Sequence, residues 1–156
     1  MITLQPVRLD QRQKLWNIFQ KFLYEMTNYY DDVMDEDGNY HYGYFDAYFE
    51  DPNREALFLY LGDSLVGFAM LNRHSYLGAA PDHVLAEFTI FPMYRRRHWG
   101  LEAAQALFTQ YPGSWEVKYN LKNAGAKALW TKATQPYVPK AVPYSDSEAV
   151  LSFITP

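Results

Sequence analysis

The stretch from Val84 to Tyr111 constrains this chain more than any other, because it must pass from strand to helix through three consecutive arginines. Val84, Leu85, Ala86, Phe88 and Ile90 place apolar side chains in near-alternation, the pattern of a mostly buried strand. Pro92 cannot donate to a sheet ladder, so the strand is expected to end at Phe91. Leu101, Ala104, Phe108 and Tyr111 then recur at helical spacing until Pro112-Gly113 stops the helix. Arg95, Arg96, Arg97, His98, Trp99 and Gly100 fill the turn between the two. Unpaired amides at a helix N-terminus, reinforced by the helix dipole and by guanidinium groups, make an anion site. The plainer reading is a solvated basic patch, but a position at a strand-to-helix turn favours anion binding.

Composition narrows the partners. A chain of 156 residues, 49% hydrophobic and 21% charged, reads as one packed domain spanning 1–156. No apolar run approaches the about eighteen residues of a membrane span, and Met1 to Gln5 shows no basic-then-apolar leader pattern. The absence of cysteine excludes disulfides, thiolate catalysis and cysteine zinc sites, and fits a reducing, cytoplasmic setting. No metal is expected. A net charge of −4 argues against nucleic-acid binding through the arginine run.

Around the central stretch the pattern alternates between strand and helix. Ile2 to Leu9 reads as a first strand, and Asp10-Gln11-Arg12-Gln13 as a capping box. The box opens a helix with the stripe Leu15, Ile18, Phe19, Phe22, Leu23, Met26. Asn28 to Asp51 carries eight acids and no Lys or Arg, interleaved with Tyr29, Tyr30, Tyr40, Tyr42, Tyr44, Phe45, Tyr48 and Phe49. Tyr44 to Phe49 reads as a short helix, and the segment as a mobile cover over a pocket or as ordinary surface packing. Ala56 to Leu61 and Ser64 to Asn72 form a hairpin about Gly62-Asp63. Trp115 to Tyr119 is a further strand, and Asn123 caps a helix bearing Ala126, Leu129 and Trp130. Gln135 to Asp146, with three prolines, is loop or edge strand, and Ala149 to Thr155 closes the sheet. This order predicts an α/β (α+β) fold with a mixed, largely antiparallel central sheet flanked by helices.

Two groups of residues resemble a known family. Ile90-x-Pro92-x-Tyr94-Arg95-x-x-His98-x-Gly100 resembles the acyl-CoA signature of the GNAT superfamily of N-acetyltransferases. The usual form there is Arg or Gln, two residues, Gly, one residue, then Gly or Ala. Arg95 and Gly100 match, whereas His98 stands in the first glycine's place, a residue that tolerates positive φ better than most. Asn123-x-x-Ala126-x-x-Leu129-Trp130-x-Lys132 resembles the family's later Asn-x-x-Ala-x-x-Leu-Tyr-x-Lys helix.

The resemblance implies a GNAT-like acyl-CoA N-acyltransferase fold in which the central strand splays from the strand at Trp115. It implies that acetyl-CoA, the cosubstrate, lies in that gap and bonds to backbone groups around Phe88 and Ile90. Arg95, Arg96, Arg97, His98, Trp99, Gly100 and Leu101 would line its pyrophosphate turn, with Asn123, Ala126 and Trp130 beyond. The Ile90 amide would receive the oxyanion. Glu87 is the candidate general base, since it interrupts an apolar strand where burial raises a carboxyl pKa, with a salt-bridged edge glutamate as the alternative. His83 is the substitute base. Trp130 stands where many relatives carry a tyrosine acid, which leaves Tyr137 or Tyr94 as acid candidates, or solvent as the unaided proton source for the thiolate. Tyr29, Tyr30, Asp31 and Asp32 are expected at the acceptor, a small, cationic primary amine. A non-catalytic acyl-CoA-binding module is the alternative, and a homodimer is left open.

Overall fold

The computed structural model describes residues 1–156. Its strands are β1 (Ile2–Pro6), β2 (Glu55–Leu61), β3 (Ser64–Asn72), β4 (His83–Ile90), β5 (Gly113–Asn120), β6 (Lys140–Pro143) and β7 (Glu148–Thr155). The helices are α1 (Arg12–Met26), α2 (Trp99–Gln110) and α3 (Ala124–Thr134). All seven strands join one sheet in the order β1-β2-β3-β4-β5-β7-β6. Every neighbouring pair is antiparallel except β4 with β5. The mixed, largely antiparallel sheet read from the sequence is therefore the one that forms.

Each face of the sheet has its own core. Leu15, Phe19 and Phe22 are the buried stripe of α1 and pack with Phe45, Phe58, Phe68 and Met70. Phe19 anchors that cluster, edge-on to Tyr42 at 4.6 Å and to Phe68 at 5.8 Å between ring centroids. Full burial of one such side chain contributes about 1.5–3 kcal/mol, and aromatic geometry adds a further increment. On the other face Ala103, Ala104, Leu107 and Phe108 of α2 and Trp130 and Ala133 of α3 cover Leu57, Leu85, Val117 and Leu151.

Local details depart from expectation at the sequence's weaker signals. The capping box at Asp10–Gln13 is not made. The Gln11 side chain instead accepts the Arg8 N–H at 3.0 Å, because a 3-10 turn at Leu9–Gln11 moves the helix entrance upstream. That same turn ends the first strand at Pro6 and not at Leu9. The helix expected over Tyr44 to Phe49 is a 3-10 turn, Asp46–Phe49, that plugs Phe45 and Tyr48 into the α1 core. Pro52 follows closely and denies it a longer course. The proline-rich segment supplies the edge strand β6, where prolines leave no ladder bond unmade.

Candidate active site

The site starts from a defect in one strand. β4 pairs with β5 only at His83–Trp115, Val84–Glu116 and Leu85–Val117, after which the two strands part. At the same point β4 bulges against β3, since Leu85 opposes Leu71 but Glu87 opposes Met70, leaving Ala86 over. Strict alternation from Leu85 would have aimed Glu87 at the apolar core beneath α2 and α3. The extra residue turns it to the face of Met70, beneath α1, and returns Phe88 to the other face beside Ala69.

Beyond Leu85 the edge of β4 that looks toward β5 has no strand to pair with. The Phe91 amide donates to the Val66 carbonyl on β3 at 2.8 Å. Successive residues of a strand point their amides to opposite edges, so the Ile90 N–H faces the gap. On the opposite edge, Gly67 admits no side chain, because a Cβ there would overlap the Thr89 carbonyl oxygen. β3 and β4 thus lie closer together than any larger residue would permit.

A turn then leads into α2. His98 caps the helix in the left-handed region at φ 66°, and Arg96 is also left-handed at φ 60°. The histidine therefore adopts the backbone shape for which the glycine would otherwise be used. Its side chain, like those of Arg96 and Arg97, is exposed, and neither arginine forms an ion pair. Trp99, Gly100 and Leu101 follow as the first turn of α2, so their amides have no partner within the helix. A Cβ on Gly100 would lie 3.4 Å from the Leu129 methyl groups, so this glycine lets α2 approach α3. Arg95 behaves differently. Its guanidinium binds both carboxylate oxygens of Glu25 on α1 and donates to the Ile90 carbonyl at 2.7 Å and to Thr89 Oγ1 at 3.1 Å. The side chain expected to hold an anion instead fastens the turn to α1.

Where β4 and β5 separate, a cavity of about 500 Å³ opens through the sheet. Leu85, Phe88, Val117, Tyr119, Asn123, Ala126 and Trp130 line one half, with the Trp130 ring edge-on to Phe88 at 5.0 Å. Asn123 also caps α3, accepting the Ala126 N–H at 3.0 Å. The other half lies under α1 and holds Glu87, Tyr30, Tyr42, Tyr76 and Lys118.

Part of the Glu87 side chain opens onto the cavity, but protein surrounds it on every side at longer range. Burial pushes its carboxyl from 4.5 up to about 8, against the pull of the Lys118 charge and a long contact from the Tyr42 hydroxyl at 3.5 Å. Burial likewise raises Tyr30, Tyr42 and Tyr76 far above the ordinary phenol range, so all three keep their protons. Lys118 bonds Glu148 at 3.1 Å and stands over the rings of Tyr76 and Tyr144, 4.7 and 5.3 Å from their centroids. Glu148 also accepts the Tyr30 hydroxyl at 2.8 Å. Burial works against its charge, but these donors prevail and hold it below the usual carboxylate range.

Not every expected residue arrives here. Glu87, Phe88, Asn123, Ala126, Trp130, Tyr30 and Asp32 line the cavity, whereas Tyr29 and Asp31 do not. Tyr137 is a correction: it stacks on Phe153 and meets Phe108 edge-on, outside the cavity, because the turn after α3 folds it onto the α2 core. Tyr94 also lies outside. His83 bonds the Pro112 carbonyl at 3.0 Å and packs on Trp115, a structural placement. Sequence reasoning missed Tyr76, Lys118 and Glu148, and named Tyr42 only among the aromatics of the segment read as a cover over a pocket. Only Lys118 carried a signal, as the one charged side chain between Val117 and Tyr119 of an alternating strand.

Comparison with known proteins agrees with this geometry. The family model described as the acetyltransferase (GNAT) family matches residues 13–134. No curated protein matches the sequence. Among solved structures, an acetyltransferase from Thermus thermophilus is 16% identical, with a TM-score of 0.70 over 99% of this chain and 97% of that one. Aminoglycoside acetyltransferase AAC(6')-Ib, in complex with coenzyme A and kanamycin, is 12% identical, with a TM-score of 0.69 over 99% and 95%. Spermidine N-acetyltransferase from Vibrio cholerae, in complex with CoA and spermine, is 12% identical, with a TM-score of 0.64 over 99% and 95%.

Proposed function

This chain belongs to the acetyltransferase (GNAT) family, and from that premise we propose that it acetylates a small primary amine by direct transfer from acetyl-CoA, with Glu87 as general base. The observation that carries the reading is the bulge at Ala86, which opens the β4–β5 gap and turns Glu87 into it. The chain's own groups fit the cosubstrate. Unpaired amides of Trp99, Gly100 and Leu101, with the exposed charges of Arg96 and Arg97, suit a pyrophosphate. The freed edge of β4 and the apolar walls at Phe88, Ala126 and Trp130 suit an extended pantetheine arm.

Acetyl-CoA supplies a thioester whose carbonyl carbon is open to attack. Glu87, ionised, accepts one proton from the acceptor's ammonium and so frees the nitrogen lone pair. The nitrogen forms the new C–N bond, the C–S bond breaks, and the Ile90 N–H donates to the carbonyl oxygen as charge develops there. The second nitrogen proton goes to the departing thiolate. A free thiol's pKa near ~8.5 lets it leave without a tyrosine acid, which fits a tryptophan at Trp130. The alternative of a non-catalytic CoA-binding module rested on His98 and Trp130, and the left-handed backbone at His98 removes one of its two supports.

The test is thiol release from acetyl-CoA with a panel of primary amines, alongside a thermal shift. Saturating acetyl-CoA at about a hundred times its Kd should add roughly 2.7 kcal/mol of stability. A thermal shift with no thiol release from any amine would favour the binding module.

A further inference from the structure

The fixed charges of the cavity say what kind of amine it can hold. This step rests on the acetyltransferase reading above and concerns only its acceptor. We infer that the acceptor is a monoamine carried on an aromatic or apolar body, and not a polyamine, an aminosugar or a peptide.

Charge counts first. Of the eight acids between Asn28 and Asp51, only Asp32 lines the cavity, and Glu87 is the one other acid there. Asp35 is turned away, with its carboxylate accepting the N–H groups of Asp37 and Asn39 at 2.9 Å each. Glu148 is already bound to Lys118 and Tyr30. An acceptor with one ammonium can bring it to Glu87. A second ammonium could reach only Asp32, which is exposed at the cavity's edge, and a third would find no free carboxylate, since Glu148 is taken up by Lys118. The Tyr76 and Tyr144 rings offer no alternative cation seat on the side that Lys118 already covers.

The walls come next. Phe22, Leu23 and Met26 of α1, with Tyr42 and Tyr76, wall the acceptor half, with His41 and Asn120 as further polar lining. The Tyr30 and Tyr42 hydroxyls point to Glu148 and Glu87, so the rings present mainly apolar surface to a ligand. Tyr76 is held in place from outside the cavity. The fully buried Glu116 accepts the Ser75 hydroxyl at 2.5 Å and the Tyr76 N–H at 2.7 Å, which pins the loop between β3 and β4. Burying a carboxylate to fix one loop residue makes Tyr76 a preformed wall, suited to a flat or apolar ligand body.

The experiment compares 2-phenylethylamine, hexylamine, spermidine, kanamycin and a short peptide with a free N-terminus, each with acetyl-CoA, by thiol release. The expected result is a kcat/KM for one of the two monoamines at least ten-fold above all three others. Tyr76→Ala should raise the KM for that monoamine at least five-fold with the KM for acetyl-CoA unchanged, and Tyr76→Phe should restore it. Equal or better turnover of spermidine, kanamycin or the peptide overturns the inference. Release with none of the five overturns it too. In that case a thermal shift with acetyl-CoA would leave cosubstrate binding standing, whereas no shift would remove the acetyltransferase reading as well.

Discussion

Arg95 sets its two terminal nitrogens against the two carboxylate oxygens of Glu25, at 2.5 and 2.7 Å, and so ties the turn before α2 to the last turn of α1. The hydrogen bonds from Arg95 also hold the Glu25 carboxyl below its ordinary 4.5. A helix that lines the cavity is thereby joined to the arginine-bearing turn before α2.

Glu25→Gln should loosen that turn more than it unfolds the protein. Both side chains are about a third exposed, so the stability loss should be modest, about 1 kcal/mol. The KM for acetyl-CoA should rise while that for the acceptor moves less. A lowered carboxyl pKa stabilises the fold above 4.5 and ceases to as pH falls through the folded value. The variant's deficit, measured by chemical denaturation, should therefore shrink below pH 4.5.

Glu87 carries the opposite sign. Its folded pKa stands at about 8 against an ordinary 4.5, so the folded state favours the protonated form across that window. Its contribution to stability is complete below 4.5 and is lost as pH rises through 8. Glu87→Gln should thus gain on the parent between pH 5 and pH 9, by on the order of 1–4 kcal/mol, in parallel denaturation series. Turnover should move the other way. The parent's kcat/KM should climb with pH through about 8, and Glu87→Gln should lower kcat about 10²–10⁴-fold.

Lys118 sets where that climb falls. Its charge opposes the burial that raises Glu87, and Tyr30, Tyr42, Tyr48 and Tyr76, the other titratable groups facing the carboxyl, are neutral phenols. Lys118→Met should displace the pH profile upward by about one unit without abolishing activity. The double variant Lys118→Met with Glu148→Gln should keep that displacement while relieving the stranded acid. An unmoved profile would show that Lys118 only supports the wall.

Tyr137→Phe should leave kcat within about two-fold of the parent. Its ring rests on Phe108 and Phe153, and its hydroxyl has no hydrogen-bond partner in the protein. A loss of a hundred-fold in steady-state assays would return Tyr137 to the reaction.

What the sequence determined by itself was everything that one strand or one helix can state alone. The alternation of Val84 to Ile90, the stripe from Leu15 to Met26 and the cap at Asn123 each depend on neighbours within a few positions. So did the placing of three arginines just ahead of a helix start, since the two are adjacent in the chain. Even the departure at His98 was readable, because φ is a property of one residue.

Tertiary structure decided which groups meet. The face on which Glu87 emerges depends on a single unpaired residue, Ala86, and a bulge leaves no periodic trace in the strand that bears it. Arg95 reaches α1 and not a ligand because Glu25, 70 residues away, fills its fork. Lys118 and Glu148 share a site only because β5 and β7 are neighbours in the sheet. The same holds for the acids of Asn28 to Asp51. Their number is a fact of composition, but a charge acts on a ligand only from where the backbone leaves it, and that path placed one of eight at the cavity.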